Sequence, residues 1–261
     1  MLEKAFCNLS VVPVRAEAND RAEICTQLLF GELINIVEKK DNWYLIETED
    51  KYQGWIDYKQ VVIISDKEYQ KLQSSPCFYS TELLQYIKDE SNKKEIPIII
   101  GSRIPVGEKN SFQINDTNYS YSFPVKEYDY NNISEIALKF TEAPYLWGGK
   151  SVFGIDCSGL TQVVAKICGI DIPRDASQQA DCGNLVSFVE EVEVGDSAFF
   201  DDEEGNIIHI GILLSKDQII HASGKVRVDA FDHHGIFNKD TNKYSHKLRF
   251  IKRINANKNC H

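Results

Sequence analysis

The amino-terminal 64 residues alternate short apolar runs with turn-forming residues. Five runs of three to five residues are rich in β-branched, aromatic and other apolar side chains, and Gly, Asn, Asp or Lys lie between them. Short segments of this kind, bounded by turn chemistry, are typical of β-strands. The five runs are residues 11–14, 26–30, 33–37, 43–46 and 54–56. Their close succession predicts a small all-β barrel.

The next segment begins with a helical pattern and then returns to β-forming residues. Residues 66–90 carry many helix-forming side chains, whereas residues 95–125 are β-forming and are interrupted by Gly and Pro. This order predicts a second, degenerate barrel with a helical insert over residues 66–127. A polar linker follows at residues 128–132, and the apolar spacing of residues 133–140 predicts a helix.

A helix is also predicted to start at Cys157. Apolar residues recur 3, 6, 7 and 10 positions after it, which is the spacing of one helix face, and Gly169 is a C-terminal stop signal. Asp156 is a favourable N-cap, so Cys157 is predicted in the first turn. The positive end of the helix dipole favours a thiolate there. A lone cysteine at a helix start is more often structural, but in this setting Cys157 is a candidate nucleophile.

Two histidines are predicted on neighbouring strands. Residues 206–214 and 218–224 are β-forming and contain His209 and His221. If the turn between them is centred near Lys216, the two side chains are diagonal neighbours on one sheet face, about 7 Å apart. His209 can then serve as general base and His221 as the residue that orients it, although a single strand histidine is more often structural. Three further histidines are predicted on loops, without a role: His233, His234 and His246.

The candidate nucleophile and both strand histidines belong to a set of six short motifs. The set is YLWGG (145–149), DCSGL (156–160), IPR (172–174), VGD (194–196), HIGI (209–212) and HASG (221–224). In this order the motifs resemble those of the NlpC-type, papain-like cysteine peptidases of the bacterial cell wall. The resemblance covers residues 135–255.

The resemblance implies an α+β catalytic domain in which the helix bearing the nucleophile packs on an antiparallel sheet bearing both histidines. It implies Cys157 as nucleophile, His209 as general base and acid, and His221 as the orienting third residue. No metal or organic cofactor is implied. The seven cysteines include no CxxC pair and match no zinc framework.

The amino-terminal pattern resembles a bacterial SH3-like domain. The matching segments are VRA (14–16), QLLFGE (27–32), WY (43–44) and GWI (54–56). The predicted organisation is an SH3-like domain over residues 1–65, a degenerate second one over residues 66–127 and the peptidase domain over residues 128–261.

SH3-like domains joined to this catalytic domain are similar to the γ-D-glutamyl-L-diamino acid endopeptidases, also described as dipeptidyl-peptidase VI. That resemblance implies hydrolysis of the γ-D-glutamyl-L-diamino acid bond in murein stem peptides with a free N-terminus, which releases L-Ala-γ-D-Glu. Either diaminopimelate or lysine is compatible as the diamino acid. The alternatives are a non-catalytic murein-binding protein, and an acyltransferase or amidase that uses the same Cys-His-His site.

Recognition of a free ammonium group requires anions or hydrogen-bond acceptors near the nucleophile. Asp156 and Ser158 flank Cys157 and resemble the family's amine-binding and positioning residues. Asp156 as an N-cap alone is the structural alternative.

Further substrate-binding residues are implied in both parts of the chain. The SH3-like domain would contribute Glu23 and Tyr58, although Glu23 as a solvated loop charge is the structural alternative. Tyr145 and Trp147 are predicted to line the cleft, with aromatic packing in the core as the equal alternative. Two rivals for the acidic position are Glu32 and Glu17.

Charge and hydropathy narrow the range of partners. The net charge of −10 disfavours nucleic acid and anionic membrane surfaces. The longest apolar run, residues 96–100, is far shorter than the roughly 20 residues of a membrane-spanning helix. The first residues show no basic segment followed by an apolar core. The cytoplasm is therefore the expected location, with an exported form that has lost its signal as the alternative.

Overall fold

The structure, a computed structural model, describes residues 2–254. It divides into two units at the junction of Glu127 and Tyr128. This junction coincides with the start of the linker predicted before the catalytic domain. Residues 255–261, which the sequence analysis placed in that domain, lie outside the described residues, as does Met1.

The first unit begins with seven strands in one antiparallel sheet. They are β1 (Glu3–Phe6), β2 (Val11–Arg15), β3 (Ile24–Leu29), β4 (Leu33–Lys40), β5 (Trp43–Glu47), β6 (Gln53–Asp57) and β7 (Val62–Ile64). Their order in the sheet is β3-β2-β6-β5-β4-β1-β7, and a 3-10 helix, Tyr58–Gln60, precedes β7. The five strands predicted from the sequence correspond to β2–β6 and are confirmed.

The alternation of side chains explains why these segments form strands. In β2, Val12 and Val14 are buried while their neighbours are half-buried, which is the two-residue period of a sheet with one face on the core. The turn between β3 and β4 contains Gly31 at φ +89°, and a Cβ there would lie 1.7 Å from the carbonyl oxygen of Arg103. Both the backbone conformation and the close approach require glycine.

The remainder of the first unit contains one α-helix, six strands and a short 3-10 helix, Glu108–Asn110. The α-helix and the strands are α1 (Asp66–Ser74), β8 (Cys77–Tyr79), β9 (Leu84–Asp89), β10 (Lys94–Ile99), β11 (Arg103–Pro105), β12 (Ser111–Ile114) and β13 (Thr117–Ser120). Ser65 caps α1 by accepting a hydrogen bond from the N–H of Glu68 at 3.2 Å. One sheet has the order β10-β9-β13-β12, and β8 pairs with β11.

The predicted domain boundary at residue 65 lies inside the first unit. One buried apolar cluster contains Phe6 and Phe30 from the amino-terminal strands together with Phe78 and Tyr119 from the later ones. The two segments therefore share a core. That residues 66–127 are a degenerate SH3-like domain stays a prediction.

Between Tyr128 and Ile254, the described part of the second unit contains three α-helices and nine strands. They are α2 (Ile133–Leu138), β14 (Lys150–Ser151), β15 (Gly154–Ile155), α3 (Cys157–Ile167), α4 (Ala176–Gln179), β16 (Asn184–Val186), β17 (Ser197–Asp201), β18 (Ile207–Ser215), β19 (Gln218–Ser223), β20 (Lys225–Asp232), β21 (Gly235–Asn238) and β22 (Lys243–Arg253). Short 3-10 helices lie at Tyr130–Asn132 and Val189–Glu191.

The large sheet of the second unit positions the candidate site. Its order is β16-β22-β17-β18-β19-β20-β21, and β21 also pairs with β22, so that the sheet closes on itself. Helix α3 packs on β18 and β19, as predicted for the nucleophile helix and the histidine strands. Within residues 2–254, no helix has the length and hydrophobicity that crossing a membrane requires.

Candidate active site

Asp156 fixes the start of α3. Its side chain accepts hydrogen bonds from the backbone N–H of Gly159 at 2.6 Å and of Gly148 at 2.8 Å. Arg174 donates to both carboxylate oxygens, at 3.1 and 2.6 Å. Asp156 and Arg174 are only 6% and 2% exposed, so they form a buried ion pair. The predicted N-cap is confirmed, and Cys157 is the first residue of the helix.

Gly159 allows the YLWGG loop to approach the nucleophile helix. A Cβ at this position would lie 2.2 Å from the carbonyl oxygen of Gly149 and 2.9 Å from a carboxylate oxygen of Asp156. A larger residue would therefore push the loop away from the helix start. This contact explains physically why the two motifs occur together.

The buried side chain of Gln179 is hydrogen-bonded to the start of α3. The Thr161 hydroxyl donates to Oε1 of Gln179 at 2.6 Å, and Nε2 of Gln179 donates to the carbonyl oxygens of Ser158 at 3.0 Å and Pro173 at 2.7 Å. Gln179 is fully buried. The sequence analysis did not identify it, because its partners are distant in sequence.

The Cys157 thiol is buried beside the strand that carries His209. The backbone N–H groups of Ile210 and Ser158 donate towards the sulfur, and both lower its pKa. Burial is the largest influence and, together with the nearby Asp156 carboxylate, raises the pKa of Cys157 to about 11. Burial therefore opposes the thiolate that the helix dipole favours at this position.

His209 and His221 are hydrogen-bonded to each other. Nε2 of His209 and Nδ1 of His221 lie 2.9 Å apart. Gly211 pairs with His221 between β18 and β19, so His209 is the diagonal neighbour of His221, and the predicted register is confirmed. Burial, followed by the influence of His246 and His221, holds the pKa of His209 well below its usual value. A neutral imidazole that can accept a proton therefore lies on the strand beside the thiol.

Asp229 and Arg227 extend this arrangement and were missed by the sequence analysis. Nε2 of His221 lies 3.0 Å from Oδ2 of Asp229. Arg227 donates from a terminal nitrogen to Oδ1 of Asp229 at 2.8 Å. Both residues lie on β20, where alternation along the strand places them on one face. That alternation was a readable signal, but the pairing with His221 was not.

His246 was placed on a loop, and this prediction is wrong. It lies on β22 opposite Ile236, and its ring stacks on that of His209 with centroids 4.1 Å apart at 20°. Burial, followed by the influence of His221, lowers the pKa of His246 to about 4. The alternating side chains Tyr244, His246 and Leu248 indicated a strand. His233 and His234 form the turn after β20, as expected.

The buried imidazoles of His209 and His221 and the half-buried imidazole of His246 form a group of potential metal ligands. Their ligand nitrogens all lie within 4.8 Å of one another. However, the rings of His209 and His246 are nearly parallel, so their in-plane lone pairs run side by side and do not converge on one point. His209 and His221 share a hydrogen bond instead. This geometry is that of a histidine base, His209, oriented by a second histidine, and not that of a metal site.

The two aromatic residues of the YLWGG motif differ in environment. Tyr145 is half-buried, and its backbone N–H donates to the carbonyl oxygen of Gly224 at 3.0 Å. Burial, followed by the electrostatic influence of Cys157 and Asp156, raises the pKa of Tyr145 to about 12. Its hydroxyl is therefore a protonated donor near the thiol. Trp147 is 63% exposed, which rules out core packing and leaves its ring accessible.

Ser158 and Asp156 are engaged with each other. The Ser158 hydroxyl donates to Asp156 at 3.3 Å and accepts from Arg174 at 2.8 Å. With Gly148, Gly159 and Arg174, the Asp156 carboxylate already has five donors. Its observed contacts are those of a helix cap and of a buried ion pair. A role for either residue in amine binding stays a prediction.

Glu23 and Tyr58 lie in the first unit. Glu23 is exposed, and its carbonyl oxygen accepts from the N–H of Ala16 at 3.0 Å. Tyr58 is 42% exposed, and its ring centroid lies 6.1 Å from that of Tyr44. Of the rivals, Glu17 is exposed, whereas Glu32 is only 7% exposed, which disfavours a substrate contact. The roles of Glu23 and Tyr58 stay predictions.

These features define a cysteine-peptidase type of site on a papain-like fold: a cysteine at a helix start against a histidine pair on an antiparallel sheet. The sequence profile of the NlpC/P60 family matches residues 142–245, and that of the bacterial SH3 domain matches residues 10–61. The chain belongs to the NlpC/P60 family.

The matches to two named relatives cover more of this chain than its catalytic domain. The gamma-D-glutamyl-L-lysine dipeptidyl-peptidase of Bacillus cereus is 27% identical over 224 residues, which cover 76% of this chain and 66% of that protein. The dipeptidyl-peptidase 6 of Lysinibacillus sphaericus is 25% identical over 86% of this chain and 91% of that protein. A probable endopeptidase of Haemophilus influenzae is 33% identical over 44% of this chain and 73% of that protein.

A solved structure shows the same fold. The crystal structure of an NlpC/P60 family protein from Bacillus cereus matches with a TM-score of 0.78 and covers 96% of this chain and 99% of that one. The sequence identity is 20%, so the likeness concerns the fold.

Proposed function

We propose that this protein is a cysteine endopeptidase that hydrolyses the γ-D-glutamyl-L-diamino acid bond of murein stem peptides with a free N-terminus. The observation that carries the chemistry is the placement of the buried Cys157 thiol, which lies against the backbone N–H of Ile210, the residue that follows His209. The His209 ring is hydrogen-bonded to that of His221 at 2.9 Å. The names of the Bacillus cereus and Lysinibacillus sphaericus relatives support the bond and the dipeptide product.

The acylation step begins from a neutral thiol and a neutral imidazole. The raised pKa of Cys157 and the lowered pKa of His209 keep the proton on sulfur until substrate binds. His209 takes this proton as the sulfur attacks the γ-glutamyl carbonyl, and returns it to the departing amine of the diamino acid. Water then hydrolyses the thioester with His209 as base.

The start of α3 supplies a site for the developing oxyanion. Cys157 is the first helical residue, and the first N–H groups of a helix have no partner within the helix. The Cys157 N–H therefore is the proposed oxyanion donor, and the protonated Tyr145 hydroxyl is placed near the same sulfur.

Recognition of the free amine is assigned to residues in both parts of the chain. Glu23 and Tyr58 are the proposed contacts from the SH3-like domain. Asp156 and Ser158 hold Arg174, so an ammonium group would have to share acceptors that are already used. We propose that these two residues act mainly by positioning Cys157. The cytoplasm stays the predicted location, where released stem peptides would be the substrate.

Product analysis by mass spectrometry tests the proposal. L-Ala-γ-D-Glu-L-Lys and its meso-diaminopimelate counterpart are incubated with wild type and with Cys157→Ala, beside matched peptides whose alanine is N-acetylated. Release of L-Ala-γ-D-Glu by wild type alone, and only from free-amine peptides, is expected. Equal cleavage of the acetylated peptides would refute the amine requirement while leaving the peptidase chemistry intact.

Failure of folded wild type to cleave any of these peptides would refute the proposed bond. Adding an amine acceptor then distinguishes acyl transfer, which would yield the amine adduct, from murein binding without chemistry, which would yield no product. The relative rates on the two unmodified peptides report the preferred diamino acid.

A further inference from the structure

Asp229 lies where it can control the protonation pattern of the histidine pair. His221 on β19 pairs with Arg227 on β20, and Asp229 follows two residues later on the same face. Its side chain is 4% exposed. Neither Arg227 nor Asp229 belongs to the six sequence motifs.

The hydrogen bonds assign a tautomer to each ring. An ionised carboxylate only accepts, so the contact of 3.0 Å between Asp229 Oδ2 and His221 Nε2 requires the hydrogen on that nitrogen. Nδ1 of His221 then has a lone pair and accepts from Nε2 of His209 at 2.9 Å. His209 accordingly has its hydrogen on Nε2. Its Nδ1 keeps the lone pair that can take the thiol proton.

Arg227 holds the Asp229 carboxylate in place. A terminal nitrogen donates to Oδ1 at 2.8 Å, and Nε lies 2.7 Å from Oδ2 without the alignment of a hydrogen bond. Although burial raises the pKa of the Asp229 carboxyl, the hydrogen bonds from His221 and Arg227 outweigh it and hold the pKa below its usual value. The carboxylate therefore stays ionised as an acceptor. Arg227 also donates to Asp240 at 2.8 Å.

We propose that Asp229, clamped by Arg227, is a positioning residue that fixes the tautomers of His221 and His209 and so reserves Nδ1 of His209 for Cys157. Without the carboxylate, His221 can instead carry its hydrogen on Nδ1 and donate it to Nε2 of His209. His209 would then carry its hydrogen on Nδ1, which is the wrong nitrogen for a base. The inference rests on the proposed peptidase function for its kinetic consequence alone.

The decisive variant is Asp229→Asn in the full chain. The asparagine side chain has one acceptor oxygen and one donor nitrogen, so its nitrogen must face a donor, either Arg227 or His221. The variant therefore cannot accept hydrogen bonds from both residues as the Asp229 carboxylate does. With the peptide cleaved by wild type, kcat is expected to fall by about 10²–10⁴-fold while KM changes by less than about twofold. The matched control is Asp232→Asn on the same strand. Its carboxylate accepts from the Tyr244 hydroxyl and from the backbone N–H of His234, and it has no hydrogen bond to His209 or His221, so kcat should stay within about twofold.

A second readout does not need any substrate. Long-range proton–nitrogen NMR correlations distinguish the two neutral imidazole tautomers in ¹⁵N-labelled protein near neutral pH, with His221→Gln used for assignment. Wild type is expected to show hydrogen on Nε2 of both His209 and His221. Asp229→Asn is expected to move His221 towards the Nδ1-protonated form.

The outcomes separate the two proposals. A wild-type His221 protonated on Nδ1, or an Asp229→Asn protein with unchanged tautomers and activity, would overturn the positioning role. Correct tautomers in a wild-type protein that cleaves no stem peptide would refute the proposed function alone. If Asp229→Asn does not fold, Arg227→Met loosens the clamp while keeping the carboxylate, and a mixture of tautomers with about tenfold lower kcat is expected.

Discussion

The buried ion pair between Asp156 and Arg174 makes a stability prediction that is independent of substrate. Arg174→Met keeps the approximate length and apolar stem of the side chain but removes three hydrogen bonds, two to Asp156 at 3.1 and 2.6 Å and one to Ser158 at 2.8 Å. The Asp156 carboxylate then remains buried with a net charge. Breaking one side of a buried pair typically costs about 3–5 kcal/mol.

The remaining contacts of Asp156 set the expected magnitude at the lower end of this range. Two backbone N–H groups, at 2.6 and 2.8 Å, and the Ser158 hydroxyl still solvate the carboxylate. We expect the free energy of unfolding to fall by about 3 kcal/mol, which corresponds to a melting temperature lower by roughly 10 °C for a unit of this size.

Urea and thermal denaturation of the full chain, followed by circular dichroism, measure the change. The matched control is Lys225→Met, since Lys225 pairs with Glu142 at 2.7 Å but the two side chains are 46% and 68% exposed. This surface pair should contribute less than about 1 kcal/mol. The double variant Asp156→Asn/Arg174→Met removes the uncompensated charge and should recover part of the loss. A single variant as stable as the control, or a double variant no better than the single one, would refute this reasoning.

Three further predictions follow from the site. The alkylation rate of Cys157 by iodoacetamide should rise about tenfold per pH unit between pH 6 and 10, because only the thiolate reacts and the pKa of Cys157 is about 11. The Cys157→Ala variant corrects for alkylation of the other thiols. A rate that reaches a plateau below pH 8 would contradict the argument that burial raises this pKa. The free energy of unfolding should fall by about 1–3 kcal/mol as pH drops from 6.5 to 4.5, because the unfolded chain protonates His246 in this range whereas the folded chain, with a pKa of about 4, remains mostly unprotonated there. His246→Phe should reduce this dependence in urea titrations, with the lowered pKa of His209 accounting for part of what remains, and an unchanged slope would contradict the prediction. Gly159→Ala places a Cβ 2.2 Å from the Gly149 carbonyl oxygen, so it should lower the free energy of unfolding by about 1–3 kcal/mol and reduce peptide cleavage. A melting temperature equal to that of wild type would show that the loop around Gly149 moves aside without cost in stability.

The fold was predictable where the signal is local. Strands β2–β6 followed from short runs of β-forming residues between turn residues, and the start of α3 followed from an N-cap and a 3.6-residue apolar period. The diagonal placement of His209 and His221 followed from one short turn. The shared core of the first unit could not be predicted from local signals, because Phe30 and Tyr119 meet only through tertiary packing.

The sequence by itself determined the helix that begins at Cys157 and the diagonal placement of His209 and His221, because each depends on residues close together along the chain. Only the tertiary structure decided that Asp229 and Arg227 support His221, that His246 stacks on His209 and that Arg174 neutralises Asp156. Those contacts depend on strand register and on side chains that are distant in sequence. It also decided the direction in which the pKa of Cys157 shifts, because the helix dipole acts locally, whereas the desolvation that raises the pKa is produced by the surrounding packed chain.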